Sequence, residues 1–440
     1  SNRKNFLFDE HYQQVHQDYS RFEEIEDEDG DPCDDINAIR AWVDDCFRKI
    51  INSKKYELRA INFSTYGASF VHIDRNGNPV APLYNYLKPY PKKLLKQFHK
   101  AYGSPLDFAK ATASPPLAML NSGLQLYWLK HCKPKTFEKI RWSLHFPQYL
   151  SYLFTGVPLS EFTSIGCHTG LWDFAKQDYH EWVYAEGIDQ ILPPIVPTSL
   201  SINRSFDKQK IKIGVGIHDS SSALLPYLRA DKNPFMLIST GTWSISLNPF
   251  NNKVLTSKDL KNDCLNFLRI DGKAVKAARL FLGNEYKIQV KKLHQHFGKK
   301  YGYHRKMKFD ESLAARLQKD PENKFRFESI QLKRKQPKAT QLSNFPDFKT
   351  AFHQLMLELT ALQIAACKRA IGKTDIRKIY IDGGFADNDV YVQLLSRHFD
   401  NYKIRTTQSP LGSALGAALA IADERIGKSF LKEHYAMRKA

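Results

Sequence analysis

The stretch Gly214-Val-Gly-Ile-His-Asp-Ser-Ser-Ser-Ala223 decides the reading of this chain. Its apolar first half reads as the end of a strand and its serines as the start of a helix, so the Asp219 carboxylate stands at the junction. A carboxylate so placed can take a proton from a bound group. It can equally be an N-cap whose oxygens satisfy free N–H groups of the first helical turn. Two further junctions lie downstream. An apolar strand at 235–238 runs into Ser239-Thr240-Gly241-Thr242-Trp243, and another at 379–381 runs into Asp382-Gly383-Gly384. Glycines let a backbone approach a bulky anion, and Ser and Thr add hydroxyl donors, so such turns suit phosphates.

In this order the three junctions resemble the second domain of the FGGY family of carbohydrate kinases. The His218-Asp219-Ser220 block with Gly241-Thr242-Trp243 is the most specific part. The likeness runs along most of the chain and leans to the rhamnulokinase and fuculokinase branch. Residues 61–70 and the Asp74-Arg-Asn-Gly77 turn are similar to the family's sugar-side strand and hairpin, and Asn76-Gly77 favours a tight turn. Residues 146–156, then Glu161-Phe-Thr-Ser164, are similar to a family helix and the loop after it. Ser409-Pro-Leu-Gly-Ser-Ala-Leu-Gly-Ala-Ala-Leu419 resembles the closing small-residue helix, for which close packing is explanation enough. The resemblance implies an α/β chain with the two-domain actin-like ATPase (ribonuclease H-like) fold and an interdomain cleft. Residues 1–208 would be the sugar-binding domain, and 209–440 would carry the base and the nucleotide site.

The same resemblance implies roles. Asp219 would be the catalytic base. Thr65, Tyr66, Ser69, Gln148 and His218 would contact the sugar. Gly241 and Thr242 would face the β- and γ-phosphates of ATP, Gly383, Gly384 and Asn388 would line the α-phosphate and adenosine, and Thr240 and Phe385 would belong to the same nucleotide site. Mg²⁺ would bridge phosphate oxygens and keep several waters, with no protein metal site. The chain departs from the family at several positions. Ser69 and Gln148 stand where related kinases of this branch carry acidic residues, although a hydroxyl and an amide can still bond a polyol. Phe385 stands where a third small residue is usual, so its ring would stack on the adenine or narrow its slot. Asn388 also reads as a plain N-cap. The family opens with an Asp-x-Gly-Thr phosphate loop, and this sequence starts beyond it. An unpaired central strand is costly, so the sequence reads as incomplete there, with residues 1–4 as the turn after that loop.

With 440 residues the chain exceeds what one core usually serves, so two domains are expected. No run approaches the ~20 apolar residues of a membrane span, and the amino end lacks the apolar core of a signal peptide. A cytoplasmic protein is expected, possible as a homodimer. The six cysteines form no CxxC pair, as in a reducing compartment. Cys167-His168 is the one adjacent Cys and His of interest, too few ligands for structural zinc.

A net charge of +19 raises the question of nucleic acid. The basic runs at 88–100, 299–308 and 333–338 are far apart and accompany no nucleic-acid module, so each reads as solvated surface, and no nucleic-acid partner is expected. The acidic run at 23–35 lacks EF-hand spacing and reads as a solvated loop. A short strand at 5–8 precedes a polar stretch, and a helix is expected at 36–51. The Pro- and Ser-containing segment at 190–210 reads as an extended connection, with the domain junction at about 208. The clearest helix spans 350–371, with Phe352, Leu355, Leu359, Leu362 and Ala366 on one stripe, Lys368 and Arg369 in the last turn and Gly372 at its end.

Three functions follow. The leading one is an ATP-dependent kinase of a ketose or deoxyketose, rhamnulose-, fuculose- or xylulose-like. A catalytically silent actin-like sensor of nucleotide or sugar is the second, and a basic nucleic-acid binder the third. Asp219 separates the first two, since a pure binder needs no base.

Overall fold

The strand that leads into Thr240 lies in the middle of a seven-stranded sheet in the computed structural model, which describes residues 2–439 except Lys54, Ala68, Pro321, Gln331, Lys333, Arg334, Lys335, Ser409 and Pro410. Met236–Thr240 pairs parallel with Lys378–Gly383, and that strand pairs parallel with Lys403–Thr407. On its other side Met236–Thr240 pairs antiparallel with Ser244–Asn248, followed by Ala274–Leu280 and Cys264–Leu268.

Alternation along the central strands explains why both sheet faces are covered. Met236, Ile238, Ile379 and Ile381 face one core with the helix Phe348–Ile371. Phe235, Leu237 and Tyr380 face the opposite core, with Leu224 and Leu225 of the helix Asp219–Ala230 and Leu415 and Leu419 of Ala414–Ala420. Successive strand side chains point to opposite faces, so apolar residues at every position need two layers of helices. Asp347 caps the Phe348–Ile371 helix by accepting from the Thr350 N–H, and Gly372 ends it at φ +56°.

The first half is built from shorter ladders. Ile217–His218 pairs parallel with Ser64–Thr65, and Gln209–Gly214 pairs parallel with Ala60–Ile61. Phe70–Ile73 pairs antiparallel with Trp142–His145, and the chain reverses after Ile73 through Asp74 to Asn78 with Gly77 at φ +82°. The helix Ile36–Ile51 starts at an Asp35 cap, and Phe146–Thr155 ends at a left-handed Gly156.

Several expectations from sequence are corrected. Asn2–Phe8 is one strand, so Asn2, Arg3 and Lys4 are not a turn; Ser1 lies outside the described residues. The polar stretch after it is a strand, Gln14–Arg21, antiparallel to the first. The connection at 190–210 contains the strands Ile195–Val196 and Ser201–Phe206. Residue 208 sits at the tip of the hairpin between Ser201–Phe206 and Gln209–Gly214. Ser409 and Pro410, and Lys333, Arg334 and Lys335 of the third basic run, lie outside the described residues.

The acidic run is a folded unit and not a solvated loop. Glu24–Glu26 and Pro32–Asp34 form a hairpin whose turn closes on Asp27, which accepts from the Asp29 and Asp31 N–H groups. Lys88, the first residue of a run expected at the surface, is buried and sends its ammonium to Asp27 at 2.6 Å, Asp31 at 2.6 Å and Asp29 at 3.1 Å. Burial alone would lower its pKa, but the hydrogen bonds to Asp27, Asp31 and Asp29 outweigh it and raise it.

Candidate active site

The path into Asp219 is fixed by close approach. At Gly216, φ is +88° and a Cβ would lie 2.6 Å from the Pro147 carbonyl; at Gly214 a Cβ would lie 2.5 Å from the Asn62 side chain. Asn62 holds this segment, its Oδ1 accepting from Gly216 N–H at 3.0 Å and its Nδ2 donating to the Ala417 carbonyl at 2.8 Å. His218 stands opposite Thr65 in the parallel ladder, and its N–H donates to Thr163 Oγ1 at 3.0 Å. Behind Thr163 lies Glu161, fully buried, whose carboxylate accepts from Thr163 N–H, Thr163 Oγ1, Ser164 N–H and Thr198 Oγ1.

Asp219 is the first residue of its helix, not the cap. The cap position is His218, which makes no side-chain cap bond. Asp219 Oδ1 accepts from Ser220 N–H at 2.5 Å and lies 3.1 Å from His218 Nε2, while Oδ2 has no partner among the described residues. The side chain is 46% exposed, so one oxygen is held and the other is open to solvent. The helix is anchored beyond the acid, where Ser222 Oγ donates to the Ser413 carbonyl at 2.6 Å and Gly416 packs on the Ser222 carbonyl.

The two glycine turns interlock at the carboxyl ends of adjacent parallel strands, where ligands of open α/β sheets bind. Thr240 is opposite Gly383 in the ladder, and its Oγ1 donates to the Asp382 carbonyl at 2.5 Å and accepts from Phe385 N–H at 3.1 Å. Gly383, at φ +86°, would place a Cβ 2.0 Å from the Thr240 carbonyl, so only glycine fits. Gly241, Thr242 and Gly384 are exposed, and a Cβ at Gly384 would meet nothing within 4 Å. A hydroxyl and bare backbone thus face open space, a surface that suits phosphate oxygens. Gly283, at the start of the helix Leu282–His296, backs the first turn so closely that a Cβ would lie 1.9 Å from the Gly241 carbonyl.

Most of the other proposed contacts are otherwise engaged. The Phe385 ring is buried between Tyr286 and Tyr391, each 4.9 Å away between centroids. Asn388 caps the helix Asp389–His398 through Oδ1, with Nδ2 3.4 Å from Tyr286 OH. Ser69 is fully buried and donates to the Tyr84 carbonyl at 2.9 Å. Tyr66 OH donates to Asp34 at 2.7 Å, and Asp34 also pairs with Arg3 at 2.7 Å. Burial, followed by the Asp34 charge, holds the Tyr66 phenol well above its ordinary pKa. Thr65 Oγ1 donates to the Tyr66 carbonyl. Gln148 is buried beside the strand that enters the site, its Nε2 donating to the Val215 carbonyl at 3.2 Å and its Oε1 unpaired.

Sequence reasoning passed over His145, His168 and Arg279. His168 follows Cys167 in sequence, but the Cys167 thiol donates to the Ser164 carbonyl and is pushed well up by burial. Arg279 pairs with Asp263 at 2.8 Å and lies over the Trp243 ring at 5.3 Å. Its charge, after burial and His218, helps hold His168 neutral, so it links the Thr242 turn to the histidines beside Asp219. Among the described residues no group of three or more His, Cys, Asp or Glu could hold a metal, and no helix is long and apolar enough to cross a membrane.

The fold is that of the actin-like ATPases. A carbohydrate kinase from Novosphingobium aromaticivorans superposes with a TM-score of 0.75 at 21% identity, over 96% of this chain and 91% of that one. A ligand-bound xylulose kinase from Lactobacillus acidophilus gives 0.75 at 15% identity, over 100% and 91%. The chain belongs to the FGGY family of carbohydrate kinases: the family's N-terminal domain matches residues 1–224, and the carbohydrate kinase FGGY C-terminal domain matches 232–429. Its members are sugar phosphotransferases. A rhamnulokinase from Mannheimia succiniciproducens is 26% identical over 224 residues, which are 50% of this chain and 44% of that protein. The chain thus matches about half the length of the curated relatives it resembles.

Proposed function

We propose that this chain transfers the γ-phosphate of ATP to a hydroxyl of a ketose or deoxyketose of the rhamnulose, fuculose or xylulose kind. The observation that carries the reading is Asp219: one oxygen is tied down, the other is open, and the residue before it is locked into a ladder with the first half of the chain. Asp219 Oδ2 takes the proton of the acceptor hydroxyl as its oxygen bonds to the γ-phosphorus. The bond from that phosphorus to the β–γ bridging oxygen breaks, and ADP leaves with the electron pair. Thr242 and the exposed backbone of Gly241 and Gly384 hold the phosphates, and the rigid strand ends below keep them in place. Mg²⁺, when bound, would offset negative charge on the phosphates that Thr242, Gly241 and Gly384 hold.

The test is ADP release by the full-length protein with ATP, Mg²⁺ and a panel of ketoses. Turnover of at least one sugar is expected, and Asp219→Asn lowers it by about 10²- to 10⁴-fold without unfolding the protein. No release above background with any sugar would favour the silent sensor, and an unaffected Asp219→Asn variant would remove Asp219 as the base.

A further inference from the structure

His168 lies on the loop between the short helix Phe162–Ile165 and the strand Trp172–Asp173, and that loop is anchored from both halves of the chain. Asn121 Nδ2 donates to the His168 carbonyl at 2.8 Å. Two residues earlier, Gly166 packs so tightly on Leu268 of the seven-stranded sheet that a Cβ would lie 2.2 Å from its side chain. The backbone of His168 is therefore fixed before any ligand arrives.

Its ring is not satisfied. Both His168 nitrogens are shut from solvent and have no hydrogen-bond partner among the described residues, and the same holds for His218 Nδ1 and Gln148 Oε1. Each such buried group costs about 1–3 kcal/mol when left unpaired, and native structures seldom leave several together. His168 and His218 lie 6.4 Å apart between ring centroids at 69°, and the Phe267 ring closes the third side, 6.3 Å from His168 and 5.9 Å from His218. Unpaired nitrogens of His168 and His218 thus sit on neighbouring rings of one buried cluster.

Burial pushes the His168 pKa down to about 3, with His218, Arg279 and His145 adding to the effect, so the ring is neutral at physiological pH. A neutral imidazole offers one donor and one acceptor, the complement of a hydroxyl, which also has both. A metal ion would need more ligands than the site supplies among the described residues. Arg279, the cation whose charge acts on His168, is already paired with Asp263.

We infer that His168 is a specificity-determining residue of the acceptor site, where it and His218 receive one hydroxyl of a neutral polyol between their rings while Gln148 Oε1 accepts from another. This rests on the kinase reading above for its sugar but not for its geometry. Because His218 also touches Asp219, the bridged hydroxyl is held next to the acid, and the site selects sugars by the hydroxyl that reaches the histidine pair.

The experiment uses His168→Phe, which keeps a ring and removes both nitrogens, and His168→Gln, which restores a donor and an acceptor. Kinetics are measured with L-rhamnulose, L-fuculose and xylulose. For the best sugar, His168→Phe is expected to raise KM at least tenfold with kcat and the KM for ATP within threefold, and His168→Gln to recover part of the loss. A sugar KM within twofold of wild type in His168→Phe, or an equal rise in both KM values, would overturn the inference. In parallel, the ring nitrogen resonances of histidine-labelled protein are followed as the same three ketoses are added without ATP. Saturable shifts of the His168 ring support the inference even if no sugar is phosphorylated, in which case only the kinase reading falls. An unmoved His168 ring, as expected for an ordered water alone, overturns it whatever the kinase activity.

Discussion

Thr65 and His218 face each other across a parallel ladder that joins strands from the two halves of the chain, and Asp219 is the next residue. The position of the acid is therefore set by backbone pairing with the first half, not by its own helix alone. Thr163 completes the support, accepting from the His218 N–H and donating to the buried Glu161.

That support predicts the behaviour of Thr163→Val. The substitution keeps shape but leaves the His218 N–H without its acceptor and removes one donor from Glu161. Stability is expected to fall by about 1–3 kcal/mol, the cost of an orphaned buried group. Ketose-dependent turnover is expected to fall by about ten- to a hundredfold, because small misplacements of a reacting group are expensive. Denaturant midpoints together with kcat separate the two effects; unchanged kcat would show that the ladder alone positions Asp219.

The glycine turns give a paired prediction. Gly383→Ala must fit a Cβ at a left-handed φ against the Thr240 carbonyl, 2.0 Å away, and is expected to lose about 2–4 kcal/mol of stability. Gly384→Ala meets nothing within 4 Å and should stay within about 0.5 kcal/mol of wild type. Its new methyl instead enters the space assigned to phosphate, so KM for ATP is expected to rise several-fold. Chemical denaturation and ATP titration of the two variants test the assignment, and similar stabilities would contradict the contact.

Lys88 offers a test remote from the site. Lys88→Met leaves the fully buried Asp27 carboxylate without its ammonium and is expected to destabilise by about 3–5 kcal/mol. Lys88→Met with Asp27→Asn should recover part of that loss, giving a coupling energy in a double-mutant cycle. Additive losses would mean that the ion pair is worth little beyond its hydrogen bonds within the turn.

Much of the second half could be read from sequence because its signals are local. The strands at 236–240 and 378–383 carry short apolar runs, Met236 to Ile238 and Ile379 to Ile381, that lead into glycine turns, and the 348–371 helix has a cap, a stripe and a terminal glycine. The first half was less legible because its contacts are distant in sequence. Lys88 organises an acidic hairpin 57 to 61 residues away, and nothing in either segment announces the other. Gln14–Arg21 has no buried face, so its alternation carries no hydrophobic signal. At the site, Asp219, Thr240 and the glycines stand on strand ends that the sequence marks. The environment of Ser69, Phe385 and His168 depends on which neighbours use their polar atoms or cover their rings, and that is fixed only by tertiary packing.

Acid sensitivity follows from the buried histidines. Burial pushes His72, His145 and His168 each down to about 3, with His218 adding at His145 and His168. In the unfolded chain the same side chains titrate near the ordinary histidine value of about 6.5. Between those values the unfolded state binds protons that the folded state does not, so stability rises with pH through this window and is lost on acidification. Each histidine contributes fully above about pH 6.5 and then loses about 1.4 kcal/mol for every pH unit below it. The thermal midpoint is expected to be flat from pH 8 to 7 and to fall steeply from pH 6 to 5. His72→Gln, whose ring partner is Ser143 at 2.9 Å and which lies outside the acceptor site, should flatten that slope by about one proton per molecule. A midpoint that does not change between pH 7 and 5, or a His72→Gln slope equal to wild type, would show that these rings are protonated in the folded protein.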